Sequence, residues 1–252
     1  MFDLEEARLL ALRELAELAA TAAGLEAADL TRPTRCTGWS VADVCSHAAL
    51  VAVRQAEAFR RASTGSIELP DFPGAPELAF AQILELLRDG QHALDAAMRE
   101  LTSEALGAVT PMPFGVVPTV VAIQIPVYEF AFHSDDVRHA LGAKASLPPD
   151  IASAFIGFLP GLIGMLAGGA APGRPPCAYQ LQSPSGTLIV EHSGGGWVVV
   201  AESAQPLCIL AGTDEAIALM TMGRITPTDA SLAITGPAAA TAADFKRWFP
   251  GP

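Results

Sequence analysis

The sequence predicts an α+β fold in two domains. An N-terminal bundle of four or five helices covers residues 1–168 and a small C-terminal α+β domain covers 177–252, with a linker at 169–176. Three observations lead there. Apolar residues recur at helical spacing from Asp3 to about residue 168. The segment Gly168-Gly-Ala-Ala-Pro-Gly-Arg-Pro-Pro then interrupts every regular pattern. After it come short strand-like runs separated by turn residues.

The first helix is expected to start at Asp3, with Glu6 placed for a capping box, and to run to about Ala23. The second starts at Ser40, with Asp43 three residues on, and runs to about Arg61. The third begins near Pro76 and reaches about Leu101, weakened at Gly90. The fourth opens at Pro118, kinks at Pro126 and ends at Gly142. A fifth covers Asp150 to Ala167. Beyond the linker, strands are expected at Cys177–Gln182, Thr187–His192, Trp197–Ala201 and Leu207–Leu210. A helix follows from Thr213 to Met222, then a strand at Ser231–Thr235 and a last helix from Ala238 to Trp248. The glycine run after Ser193 reads as a hairpin turn, because no helix follows it to present an anion-binding N-terminus.

Composition narrows the function. The 252 residues carry a net charge of −12, are 51% hydrophobic and only 17% charged. The apolar fraction excludes disorder, and the acidic balance argues against nucleic acid and anionic membrane surfaces as partners. Only Lys144 and Lys246 are lysines, against thirteen arginines, a bias that fits a GC-rich genome. Cys36, Cys45, Cys177 and Cys208 form no CxxC pair, so a reducing cytoplasm is the expected location. No signal peptide is recognisable at the start. The uncharged stretch between Asp150 and Arg174 is long enough to raise a membrane span, but its weak apolarity favours a buried helix. A monomer or weak homodimer is expected.

Candidate chemistry sits on the fourth helix, in Tyr128-Glu-Phe-Ala-Phe-His-Ser-Asp-Asp. Glu129 and His133 are four residues apart and Asp136 follows three later, so all three share one face with Ile125 and Phe132. That face should point inward, where unpaired charge is costly. His47 on the second helix is also expected to point inward. Together His47, Glu129 and His133 make three ligands for a divalent metal with a fourth position open, the pattern of a catalytic rather than a structural zinc. Asp136 would then orient a ligand imidazole. The plainer reading stays open: a core histidine with a hydrogen-bond partner, and a Glu129–His133 ion pair. His92 and His139 read as solvated, Cys45 as pointing away from His47, and Cys36 and Cys208 as small buried apolar groups. No G-x-S-x-G elbow, Walker loop, H-E-x-x-H or dinucleotide fingerprint is present, so a nucleophile would have to be imported.

Two motifs and two closing segments carry a family resemblance. Pro33-Thr-Arg-Cys-Thr-Gly-Trp-Ser-Val-Ala-Asp-Val-Cys-Ser-His47 resembles the entry to the second helix of the mycothiol-dependent maleylpyruvate isomerase family, within the wider DinB-like metal-binding bundles. Glu129-Phe-Ala-Phe-His133-Ser-Asp-Asp136 resembles its E-x-x-x-H-x-x-D motif. Met222-Gly-Arg224 and Asp244-Phe-Lys-Arg-Trp-Phe-Pro-Gly resemble the closing segments of its sterol-carrier-like α+β domain. One departure is Asp135, where the family often has tryptophan, which is expected to make the edge of the site more acidic.

The resemblance implies zinc, or another divalent metal, held by His47, Glu129 and His133, with Asp136 behind them. It implies mycothiol as the thiol on the metal and Arg224 as a contact for substrate or cofactor; the alternative for Arg224 is a solvated cation after a helix C-terminus. The implied reaction is addition of the activated thiol to a small electrophilic unsaturated oxo-acid, giving cis–trans isomerisation. Two other readings remain: an S-transferase that keeps the adduct, and a non-catalytic ligand-binding or regulatory module.

Overall fold

The computed structural model describes residues 1–69, 78–144, 146–166, 178–193 and 196–249. The linker expected at 169–176, the start of the third helix near Pro76, Cys177 and the centre of the glycine run fall outside the described residues. The chain forms two compact units, Phe2–Ser146 and Leu147–Pro252.

In the first unit the regular elements are α1 (Leu4–Ala23), α2 (Ala27–Leu30), α3 (Val41–Ser63), α4 (Phe80–Arg99), α5 (Ser103–Leu106), β1 (Val109–Met112), β2 (Gly115–Pro118), α6 (Thr119–Ala122) and α7 (Ile125–Ala140). Both expected capping boxes are formed: Asp3 with Glu6 on α1, Ser40 with Asp43 on α3. Helix α1 packs on α4 and α7, and α3 packs on the same two, so the four long helices close into a ring. Buried Leu15, Leu18, Phe59, Leu87, Leu94 and Phe130 fill its core. Arg8, itself buried, ties α1 to Asp95 of α4, and Arg138 of α7 reaches Glu17 of α1 at 3.1 Å.

Gly90 on α4 is the point of closest helix approach. A Cβ there would lie 2.8 Å from the Cβ of Ala52 and 3.4 Å from the carbonyl of Ala49, both on α3. The residue read from the sequence as a weakness is a packing requirement.

Two local expectations change. The hairpin β1–β2 stands where prolines suggested only loop, pairing Val109 with Pro118 and Met112 with Gly115. A two-stranded ribbon has open edges, so proline's missing N–H leaves no ladder partner stranded. Thr110, Pro111 and Met112 of β1 are buried, and the strand packs on α3. The fourth helix is broken rather than kinked. The chain turns at Ile123–Gln124 and restarts with Pro126 in the first turn of α7, where no intrahelical donor is required. The Gln124 side chain exchanges two hydrogen bonds with the backbone of Phe2, anchoring the start of α1.

The second unit contains α8 (Pro149–Leu166), β3 (Ala178–Ser183), β4 (Gly186–Ser193), β5 (Gly196–Val200), β6 (Leu207–Ala211), α9 (Asp214–Thr221), β7 (Ala233–Thr235), a 3-10 turn over Ala239–Asp244 and α10 (Phe245–Trp248). The five strands lie in the order β5-β4-β3-β6-β7, with β3 and β6 parallel and the other pairs antiparallel. Alternation leaves Tyr179, Leu181, Leu188, Val190, Cys208 and Leu210 buried on one face. The helix expected as fifth in the bundle is α8, and it groups with this sheet instead. Its apolar residues Ile151, Phe155 and Leu159 are buried, it packs on α9, β4 and β5, and Ser153 Oγ lies 2.7 Å from Ser185 Oγ. The division of the chain therefore falls after Ser146. Among the described residues no helix is long and apolar enough to cross a membrane.

Candidate metal centre

The site is assembled from α3, α7 and the ten residues that lead into α3. In that lead-in, Pro33 bridges to Ser40, the Thr34 backbone N–H and hydroxyl both donate to the Trp39 carbonyl at 2.9 Å, and Gly38 takes a positive φ of 82°. A side chain at Gly38 would be strained in that conformation. The tight loop sets the Trp39 ring against both histidines, 4.8 Å from the centroid of His47 and 6.0 Å from that of His133. Ser40 then caps α3, and two turns later the helix presents His47.

The residues singled out on the two helices converge. His47 Nε2 lies 2.6 Å from Glu129 Oε1, and His133 Nε2 lies 3.2 Å from the same oxygen. The two imidazole rings are 4.9 Å apart, edge to face. On the far side of His133, Nδ1 is 3.3 Å from Asp136 Oδ2. His133 and Asp136 are buried, whereas His47 and Glu129 keep 33% and 27% of their side chains exposed, so the cluster opens on their side.

Electrostatics follow from this geometry. Burial alone would push the His133 imidazolium pKa down, but hydrogen bonds to Asp136, Cys36 and Glu129 outweigh it and hold the pKa well above the usual histidine value. Burial likewise works to raise Glu129, and the two histidines overcome it, leaving the carboxylate strongly favoured.

The donor set fits a divalent cation. Two imidazole nitrogens and a carboxylate oxygen all lie within 4.8 Å of one another. Metal–donor bonds of about 2.0–2.2 Å place neighbouring tetrahedral donors roughly 3.4 Å apart, so a small opening of these side chains would admit an ion. Glu129, Asp135 and Asp136 against Arg35 sum to two excess negative charges when both histidines are neutral, the complement of a divalent cation.

Three further residues, Arg35, Cys36 and Trp39, join the site, and helical spacing does not single them out. Arg35 pairs with Asp135 and lies 3.4 Å from Asp136 Oδ1. The expected acidic edge at Asp135 is thus neutralised by a residue a hundred positions earlier. Cys36, read as an apolar filler, is only half-buried, and its Sγ sits 3.1 Å from Asp136 Oδ2; Cys36, His133 and Asp136 form a second group of metal-capable atoms. Arg35, Cys36 and Trp39 all lie in the segment from Pro33 to His47, whose family resemblance marks them in the sequence. Cys45 is buried as expected and its thiol is pushed up to about 12 by burial. His92 and His139 are exposed. Arg224 belongs to the second unit, just past α9, where its Nη1 donates to the Met222 carbonyl at 2.6 Å.

A four-helix bundle with a two-histidine, one-glutamate cluster, followed by a small α+β unit, defines the class. The chain belongs to the mycothiol maleylpyruvate isomerase N-terminal domain family, whose model matches residues 11–138 and so includes every residue of this cluster. The whole fold resembles the crystal structure of the mycothiol-dependent maleylpyruvate isomerase, with a TM-score of 0.66 and 19% identity over 94% of each chain. A histidine-to-alanine mutant of that enzyme matches with the same TM-score and coverage at 17% identity. A comparison with curated protein sequences gives no match.

Proposed function

We propose that the chain is a metal-dependent enzyme that uses mycothiol to isomerise a small unsaturated oxo-acid of the maleylpyruvate type. The observation that carries the proposal is the convergence of His47 Nε2 and His133 Nε2 on one oxygen of Glu129. The family match and the likeness to the isomerase fold support it.

His47, Glu129 and His133 would hold zinc or another divalent cation. Bound there, such a cation favours the thiolate form of a thiol at neutral pH, a nucleophile suited to reversible addition at an electron-poor double bond. The protein's own groups do the rest. Asp136 would accept a hydrogen bond from His133 Nδ1–H, 3.3 Å away, which fixes the tautomer and leaves the Nε2 lone pair for the metal. Trp39 packs against both imidazoles, tilted to His47 and stacked on His133. The exposed faces of His47 and Glu129 leave room for the thiol and its electrophile. Arg224 is the proposed contact for a substrate carboxylate, a role supported by the Met222-Gly-Arg224 motif and by the fit of a guanidinium to a carboxylate.

The experiment is to load the purified protein with zinc, add mycothiol and maleylpyruvate, and follow products by mass spectrometry. Mycothiol-dependent formation of the trans isomer is expected. A stable S-conjugate would replace the isomerase reading with a transferase. Absence of zinc binding even after reconstitution would overturn both.

A further inference from the structure

The geometry points to Arg35 as a positioning residue for the metal centre: it holds the adjacent carboxylates of Asp135 and Asp136 so that Asp136 can orient His133. The inference rests on the proposed metal reading of His47, Glu129 and His133, and concerns a residue outside that ligand set.

Asp135 and Asp136 are consecutive on α7 and almost wholly enclosed, at 1% and 0% exposure. Two ionised carboxylates in such a place repel each other and each lacks water, an arrangement that survives only with compensating charge and hydrogen bonds. Arg35 supplies the charge. Its Nη2 bonds Asp135 Oδ2 and faces Asp136 Oδ1 at 3.4 Å. Its side chain is only 13% exposed, so water screens the interaction weakly. One guanidinium nitrogen, Nη2, serves both acids and places a single positive charge between them.

The opposite oxygen of Asp136 is thereby left for the site. Oδ2 lies 3.3 Å from His133 Nδ1 and 3.1 Å from Cys36 Sγ. Arg35 thus lies on the side of one Asp136 oxygen and His133 on the side of the other. Without Arg35 the guanidinium that balances the Asp135–Asp136 pair is lost, and the contact of Asp136 Oδ2 with His133 Nδ1 is expected to loosen. The pair also staples the lead-in loop to α7, and that loop carries Cys36 and Trp39 into the site.

The test is zinc affinity by competition with a chromophoric chelator, together with the visible absorption of the cobalt-substituted protein, on the full chain. R35M should bind zinc about 10–100-fold more weakly than the native sequence, the range seen when a group behind a metal ligand is lost. Its cobalt bands should shift. The double variant R35M/D135N removes both charges and the repulsion together, so it should recover most of the lost affinity and the native cobalt spectrum, the signature of a coupled pair. Native-like zinc affinity in R35M, or a double variant as weak as R35M, overturns the inference. If R35M does not fold, by circular dichroism, the double variant decides: near-native affinity supports the inference and a tenfold or greater loss overturns it. If the native chain itself binds no zinc, the metal reading fails first and this inference with it.

Discussion

Asp136 Oδ2 lies 3.3 Å from Nδ1 of His133, on the opposite side of the ring from the nitrogen that faces Glu129. One imidazole thus links a buried carboxylate to an open, partly exposed one. Replacing Asp136 by Asn removes the charge behind the ring with little change of shape. Zinc affinity should fall about 10–100-fold while helix content, read by circular dichroism, stays native.

The cluster itself should be all-or-none. His47→Ala, Glu129→Ala and His133→Ala each leave two of the three proposed donors, too few to retain zinc through gel filtration. Elemental analysis should find no bound zinc in any of them. Retention of both zinc and full activity in any one variant would remove that residue from the ligand set.

Metal binding should be strongly pH-dependent. The His133 pKa is raised well above the usual value in the metal-free protein. Zinc must therefore displace a proton over a range that extends above the usual histidine titration, and apparent affinity should fall by about tenfold per pH unit below the raised pKa. The metal-free protein should behave oppositely. A raised histidine contributes stability that is fully present below its unfolded pKa and lost as pH rises through the folded one. Thermal melts should show metal-free stability declining, and zinc stabilisation growing, from weakly acidic to weakly alkaline pH. A zinc increment independent of pH would contradict the protonation of His133.

Gly90→Ala tests the contact between α3 and α4. Helix propensity alone would stabilise the variant by about 1 kcal/mol. The new methyl would meet the Ala52 Cβ at 2.8 Å, and forcing a carbon into a packed interface costs about 1–3 kcal/mol. The clash should win, lowering the melting temperature by a few degrees. Adding Ala52→Gly should recover part of the loss. A more stable Gly90→Ala variant would show that the helices separate cheaply.

Glu14 offers a stability test away from the site. It is fully buried, and burial raises its pKa despite the Arg13 guanidinium 2.8 Å away. A carboxyl group raised in the folded state costs stability at high pH, and that cost disappears as pH falls below the unfolded value. Glu14→Gln should therefore melt higher than the native protein at neutral pH, with the gap closing in acid. A gap that stays constant with pH would locate the effect elsewhere.

The sequence by itself determined what short-range geometry fixes. Asp3 with Glu6 and Ser40 with Asp43 set two helix starts, because a capping box needs only neighbouring residues. Glu129, His133 and Asp136 had to share a face, because spacings of four and three residues do so on any helix. The four main strands were legible for the same local reason, from alternation between turn residues.

Only the tertiary structure decided what depends on distant partners. Helix α8 joins the sheet rather than the bundle, since a uniformly apolar helix fits either core and its neighbours choose. The hairpin β1–β2 was hidden by its prolines, which are tolerated there because a two-stranded ribbon has open edges. His47 meets Glu129 across 82 positions of sequence, and Arg35 meets Asp135 across 100. In sequence, Asp135 looked like added negative charge at the site; in the fold that charge is compensated. Local spacing prescribes which side chains share a face, whereas the packing of whole helices decides which faces meet and what each buried charge finds there.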